Sequence, residues 1–149
     1  MVGDLDSDGT GDLAVGAPAA SPGGLNSAGT AFVFSGLTST VLFQWNGSTS
    51  LASLGDAIAS AGDLNQDGIP DILVGTPFGS EGGFTNNGSV SAFSGSDGSV
   101  IYHLMGDHDF ARFGTALDGG GNITPNGFAD FIVGSPNASS IAVPITIIP

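Results

Sequence analysis

Two short stretches of this chain carry the residue types that can do chemistry. Gly62-Asp63-Leu64-Asn65-Gln66-Asp67-Gly68-Ile69-Pro70-Asp71 sets side-chain oxygens at Asp63, Asn65, Asp67 and Asp71, and Gly3-Asp4-Leu5-Asp6-Ser7-Asp8-Gly9-Thr10-Gly11-Asp12 does so at Asp4, Asp6, Asp8 and Asp12. Alternating oxygen donors followed by a glycine suit a tight loop around a hard cation. Odd positions converge on one point, the glycine permits the sharp bend, and a backbone carbonyl near Thr10 or Ile69 fills in between. Four carboxylates within nine residues repel one another unless a cation joins them, so the ion expected is Ca2+. Mg2+, which prefers compact octahedral sites that keep several waters, suits such a loop less well. The bland alternative is an Asp/Gly-rich turn whose side chains cap local amides. An EF-hand would need a bidentate Glu at loop position 12, where Val15 and Val74 stand, and flanking helices.

Each loop runs into a short apolar segment that reads as a buried strand, Leu13-Ala14-Val15 or Ile72-Leu73-Val74. The unit recurs. Asp12, Asp71 and Asp130 follow one another at intervals of 59 residues, and Gly29 with Gly88, Phe34-Ser35-Gly36 with Phe93-Ser94-Gly95, Gly47 with Gly106, and Leu54-Gly55 with Phe113-Gly114 keep that offset. A period of this size points to propeller blades or a similar array. The third copy, Asn122 to Asp130, retains one carboxylate beside Asn122, Thr124 and Asn126; it is expected to hold its shape through side-chain to backbone hydrogen bonds rather than through a metal.

Between the loops, Thr30–Phe34, Val41–Trp45, Ala57–Ala61, Ser89–Phe93, Val100–Leu104 and Thr115–Leu117 read as further strands closed by Gly, Asn and Ser turns. Four strands per repeat is the arithmetic of a propeller blade, and the small residues Ala57–Ala61 suit an innermost strand near the axis. The expected fold is all-β: blades of four antiparallel strands in a partial propeller of about two and a half blades. Residues 1–53 would form a partial blade with the first calcium loop, 54–112 a complete blade with the second, and 113–149 the start of a third with the degenerate loop and a divergent tail. Met1-Val2 leads straight into a repeat, which reads as a fragment, and Ile141 to Pro149 departs from the pattern.

Composition agrees. Of 149 residues 26 are glycine, which with 40% apolar content favours short strands and tight turns over disorder. The formal charge of −13, from 14 acidic residues against Arg112 alone, excludes nucleic acid and anionic membranes as partners. Without cysteine there is no disulfide, zinc-thiolate site or cysteine nucleophile. No apolar run is long enough to span a membrane. Asp107-His108-Asp109 reads as a solvated turn, His103 as a surface or inter-blade residue, and Arg112 is placed to pair with Asp107 or Asp109. No catalytic constellation is apparent, nothing in the sequence positions Glu81 against an aspartate, and the chain is read as not an enzyme. Four Asn-X-Ser/Thr triplets, at Asn46, Asn87, Asn122 and Asn137, fit the glycosylation pattern, as chance allows in a chain rich in these residues.

These residues resemble the FG-GAP repeat, the blade unit of the seven-bladed propeller of integrin α subunits and of many exported bacterial proteins. Phe113-Gly114 matches the Phe-Gly pair, with Leu54-Gly55 a variant; Gly16-Ala17-Pro18 matches the second signature, with Gly75-Thr76-Pro77 and Gly134-Ser135-Pro136 as variants. The resemblance implies calcium held by Asp4, Asp6, Asp8, Thr10 and Asp12, and by Asp63, Asn65, Asp67, Ile69 and Asp71, in loops on the propeller's underside. It implies a structural role for calcium in an exported or cell-surface protein acting in adhesion or ligand binding, with the parent's remaining blades as partners. A protein or glycan ligand would meet the variable loops Ala19–Ser27 and Phe78–Asn87. The alternative is an accessory propeller of a secreted hydrolase or lyase whose catalytic residues lie elsewhere.

Overall fold

The computed structural model describes residues 1–124 and 127–137; Asn126 of the third loop and the tail from residue 138 onward lie outside them. Among the described residues nine strands run β1 (Leu13–Ala17), β2 (Thr30–Phe34), β3 (Val41–Asn46), β4 (Ile58–Gly62), β5 (Asp71–Thr76), β6 (Ser89–Phe93), β7 (Val100–Met105), β8 (Ala116–Gly121) and β9 (Asp130–Gly134), with one turn of 3-10 helix at Pro22–Gly24. They form antiparallel meanders of three strands (β1-β2-β3), four (β4-β5-β6-β7) and two (β8-β9). The architecture is the all-β, partial-propeller arrangement expected, with strands up to three residues longer than the sequence reading and β4 and β8 starting one residue later.

The repeat is visible in the hydrogen-bond register. Leu13 pairs with Phe34 and Ile72 with Phe93, and the ladders slip at Val33/Phe34 in one sheet and at Ala92/Phe93 in the next. The slips at Ser60/Gly62 and Gly119/Gly121 are related in the same way. Such bulges bend a strand and strengthen its twist, as a blade requires.

Stacking of sheets makes the core. Along β5, Ile72 and Val74 face the first sheet, packed with Val2, Leu5, Ala31, Val33 and Phe93. Leu73, between them, faces the third sheet with Leu64, Val90, Phe113, Phe131 and Val133. Period-two alternation thus gives β5 two apolar faces, and the strand is buried along its length. Trp45 on β3 crosses between sheets: its ring stacks on Phe93 at 4.3 Å, and its indole N–H donates to the Gly98 carbonyl at 3.0 Å.

Antiparallel connectivity sorts the loops to two ends. The aspartate loops before β1 and β5 share one end with the tight turns after β2 and β6. The longer connections, including those that follow β5 and β7, share the other.

Candidate metal centre

The first loop folds around its own carboxylates. Asp4 accepts the backbone N–H of Asp8 at 3.1 Å and of Gly9 at 2.9 Å, Asp6 accepts that of Asp8 at 3.2 Å, and Asp8 accepts that of Thr10 at 2.8 Å. Left-handed backbone at Ser7 (φ 59°) and Gly9 (φ 89°) turns these amides inward. The second loop repeats the pattern: Asp67 N–H to Asp63 at 3.1 Å and to Asn65 at 3.0 Å, Gly68 N–H to Asp63 at 2.9 Å, and Ile69 N–H to Asp67 at 2.8 Å. Gln66 and Gly68 take the matching φ of 60° and 88°.

One carboxylate oxygen from each of Asp4, Asp6 and Asp8 lies within 4.8 Å of the others. Calcium bonds its oxygens at 2.3–2.6 Å, so donors on opposite sides of an ion stand about 4.6–5.2 Å apart, and the trio fits around one such ion. The second loop presents Asp63, Asn65 and Asp67, with the Asn65 amide donating to Asp67 at 2.9 Å. Hydrogen bonds from the Ile69 N–H and the Ser96 hydroxyl hold Asp67 below the ordinary carboxylate pKa. It is therefore ionised, as a ligand must be.

Asp12 and Asp71 are placed differently. Both are fully buried. Asp12 accepts the Leu5 N–H at 2.7 Å and the Gly36 N–H at 3.0 Å; Asp71 accepts those of Leu64 at 2.7 Å and Gly95 at 3.1 Å. Each carboxylate ties the start of its loop to a later turn, between β2 and β3 for Asp12 and between β6 and β7 for Asp71. Each oxygen keeps a further lone pair for a cation.

Those turns are the part of the site that sequence reading missed. Ser35 donates to Asp8 at 3.3 Å, and Ser96 to Asp67 at 2.8 Å. A β-carbon on Gly36 would lie 2.2 Å from the Gly11 carbonyl oxygen, and one on Gly95 1.9 Å from that of Pro70, so only glycine fits where the turn closes on the loop. Ser35 and the two glycines lay in the paired Phe-Ser-Gly triplets, used above only as landmarks of the repeat, whereas Ser96 lies just beyond Ser94, the repeat mate of Ser35, and bonds its hydroxyl at 2.9 Å.

The described part of the third loop makes the side-chain to backbone hydrogen bonds expected of it. Asp130 is filled by its own segment, accepting the N–H groups of Ile123 at 2.5 Å and Thr124 at 2.7 Å and the Thr124 hydroxyl at 3.0 Å. Backbone donation from Thr124 chiefly holds its pKa down.

One expectation elsewhere changes. Arg112 lies over the Phe78 ring, 5.1 Å from its centroid, instead of pairing with an aspartate; Asp109 accepts the Thr85 N–H, and Asp107 bonds His108. His108 also reaches the Asn137 carbonyl at 3.2 Å, so the exposed turn expected here also makes a bridge. Asn87 is fully buried and donates to the Gly106 carbonyl, in keeping with the reading of its triplet as a chance match.

Stacked antiparallel meanders, one of them complete with four strands and an acidic loop entering its second strand, define a class, the β-propellers built of repeated blades. Residues 1–34 and 54–93 match the FG-GAP repeat. The chain is 35% identical over 147 residues to integrin alpha-5 of Xenopus laevis, 36% over 156 to integrin alpha-IIb of Mus musculus and 32% over 159 to integrin alpha-8 of Homo sapiens. These alignments cover 89%, 95% and 96% of this chain and 14%, 15% and 15% of the respective relatives. The chain belongs to the FG-GAP repeat family of integrin-α-like proteins. It spans only about 14–15% of the length of these relatives.

Proposed function

We propose that this chain is a calcium-stabilised propeller segment of an exported or cell-surface protein that acts in adhesion or ligand binding, with calcium in a structural role and no catalysis of its own. The observation that carries the reading is the convergence of Asp4, Asp6 and Asp8 to within 4.8 Å in a loop whose amides already turn inward. Three like charges this close repel by about 1–4 kcal/mol per pair, depending on the local dielectric, and one divalent ion reverses that sign.

In this reading one ion is held by Asp4, Asp6, Asp8, Asp12 and the Thr10 carbonyl, and a second by Asp63, Asn65, Asp67, Asp71 and the Ile69 carbonyl. Each ion fixes the turn into the central strand of a blade. The blades are residues 1–53, 54–112 and 113 onward, and further blades of the parent protein continue the array. Protein or glycan ligands meet the connections at the opposite end, at Ala19–Ser27 and Phe78–Asn87. Identity to integrin α chains over most of this chain supports adhesion as the setting.

Calcium titration of chelator-stripped protein by calorimetry tests the reading. Two sites are expected, one lost in Asp8→Ala and the other in Asp67→Ala. Absence of binding, or two sites surviving both substitutions, would overturn it.

A further inference from the structure

At the end of the second sheet opposite the aspartate loops, the chain's sole glutamate meets one of its two histidines. Glu81, in the connection from β5 to β6, places Oε2 2.6 Å from Nε2 of His103 on β7. Both side chains are partly exposed, at 36% and 44%, on the wall of a recess of about 130 Å³ that is closed from the first sheet by Asn46, Gly47, Ser48 and Thr49.

Their far atoms are held. The other ring nitrogen, Nδ1, bonds the Ser91 hydroxyl at 2.9 Å, and Ser91 is the register partner of His103 across β6 and β7. The other carboxylate oxygen, Oε1, accepts the buried Ser89 hydroxyl at 3.0 Å. The Glu81 N–H donates to Oδ1 of Asn87, itself fully buried and bonded to Gly106.

The repeat supplies an internal control. Fifty-nine residues earlier, the positions of Glu81, Asn87, Ser91 and His103 hold Pro22, Ala28, Phe32 and Gln44. The first sheet forms the same ladders without any of them, so the blade does not need this group to fold.

We propose that Glu81 and His103 form a site for a borderline transition-metal ion of the Zn2+ type, separate in place and chemistry from the calcium loops. An imidazole nitrogen facing a carboxylate oxygen is a donor pair that suits Zn2+ and its neighbours and is poorly matched to calcium, which takes oxygen alone. Ligands of a tetrahedral zinc ion stand about 3.3 Å apart, so the pair has to open by less than about 1 Å. The ion takes the place of the proton held between Nε2 and Oε2, and that proton is relocated, through solvent, to Nδ1. Ser91 accommodates the exchange: its hydroxyl donates to Nδ1 while Nε2 carries the proton, and accepts from Nδ1–H once Nε2 binds metal. Ser89 and Ser91 thus act as the outer partners that orient metal ligands. The remaining positions on the ion face the recess, open to water or to a donor from a bound partner.

The test is calorimetric titration of the protein with Zn2+ in millimolar calcium, which keeps the aspartate loops occupied. One zinc site is expected in the wild type. It should disappear in His103→Gln, which copies the residue the first blade carries at this position, and in Glu81→Gln. It should weaken about 10-fold or more in Ser91→Ala and persist in His108→Gln. A cooperative melt in calcium establishes that each variant folds. No zinc binding by the wild type would leave Glu81 and His103 a simple ion pair and overturn the proposal. A zinc site that survives His103→Gln, or is lost in His108→Gln, would overturn it equally.

Discussion

Gly75 of one blade abuts Gly114 of the next: a β-carbon on Gly75 would lie 2.2 Å from the Gly114 carbonyl oxygen. Gly16 meets Gly55 in the same way, at 1.9 Å. The second glycine of each pair also hydrogen-bonds onward, Gly55 N–H to the Gly75 carbonyl at 2.9 Å and Gly114 N–H to that of Gly134 at 3.1 Å. The two signatures of the family are thus two sides of one inter-blade contact, in which main chain touches main chain.

Gly75→Ala should therefore destabilise the chain by about 1–3 kcal/mol or more, because the obstruction is backbone and cannot swing aside. Gly83 is the control. It has φ 90° but nothing within 4 Å of an added β-carbon, so Gly83→Ala should cost only about 1 kcal/mol of backbone strain. Urea denaturation of the two variants in calcium measures the difference; equal losses would refute the contact as the reason for the glycine.

Asp71 should be needed whether or not calcium is present. Asparagine at this position keeps one acceptor and turns an NH2 group toward the N–H of Leu64 or Gly95, leaving a buried donor unpaired at a cost of about 1–3 kcal/mol. Chemical denaturation of Asp71→Asn should show the loss in calcium and in chelator alike. A loss confined to calcium would make Asp71 a ligand alone and not a clamp.

The bridge at His108 gives a pH dependence of known sign. The Asp107 hydrogen bond, followed by that to the Asn137 carbonyl, raises the His108 pKa above its ordinary value of 6.5. The contribution is fully present below the unfolded pKa and is lost as pH rises through the folded one. The melting midpoint in calcium should fall across that window in the wild type by more than in His108→Gln. Identical profiles would show that the bridge contributes nothing.

Much of this architecture was legible because the repeat is regular. A constant offset of 59 residues aligned loops, strands and glycines at once, and Ile72-Leu73-Val74 read as a buried strand because both its faces are covered. The aspartate loops were legible from spacing alone. What stayed hidden depended on contacts across sheets. Ser35 and Ser96 join the loops only because the turns after β2 and β6 return to the same end. Glu81 and His103 are 22 residues apart and meet because a long connection folds back over β7. Arg112 chose an aromatic face over the aspartates near it in sequence, since Asp107 and Asp109 are occupied by His108 and the Thr85 amide.

The most direct test of the account is thermal unfolding followed by Trp45 fluorescence, in millimolar calcium and then in chelator, for the wild type and Asp67→Ala. Trp45 is the sole tryptophan and bridges the first two sheets, so its signal reports their separation. A ligand that binds only the folded chain stabilises it by about 2.7 kcal/mol at a hundredfold excess over its dissociation constant. The account predicts a higher midpoint in calcium for the wild type, a smaller rise for Asp67→Ala, and a much smaller difference between the two in chelator, where the variant loses only the exposed hydrogen bonds from Ile69, Asn65 and Ser96. A cooperative melt unmoved by calcium, or an equal loss for Asp67→Ala in both conditions, would contradict it.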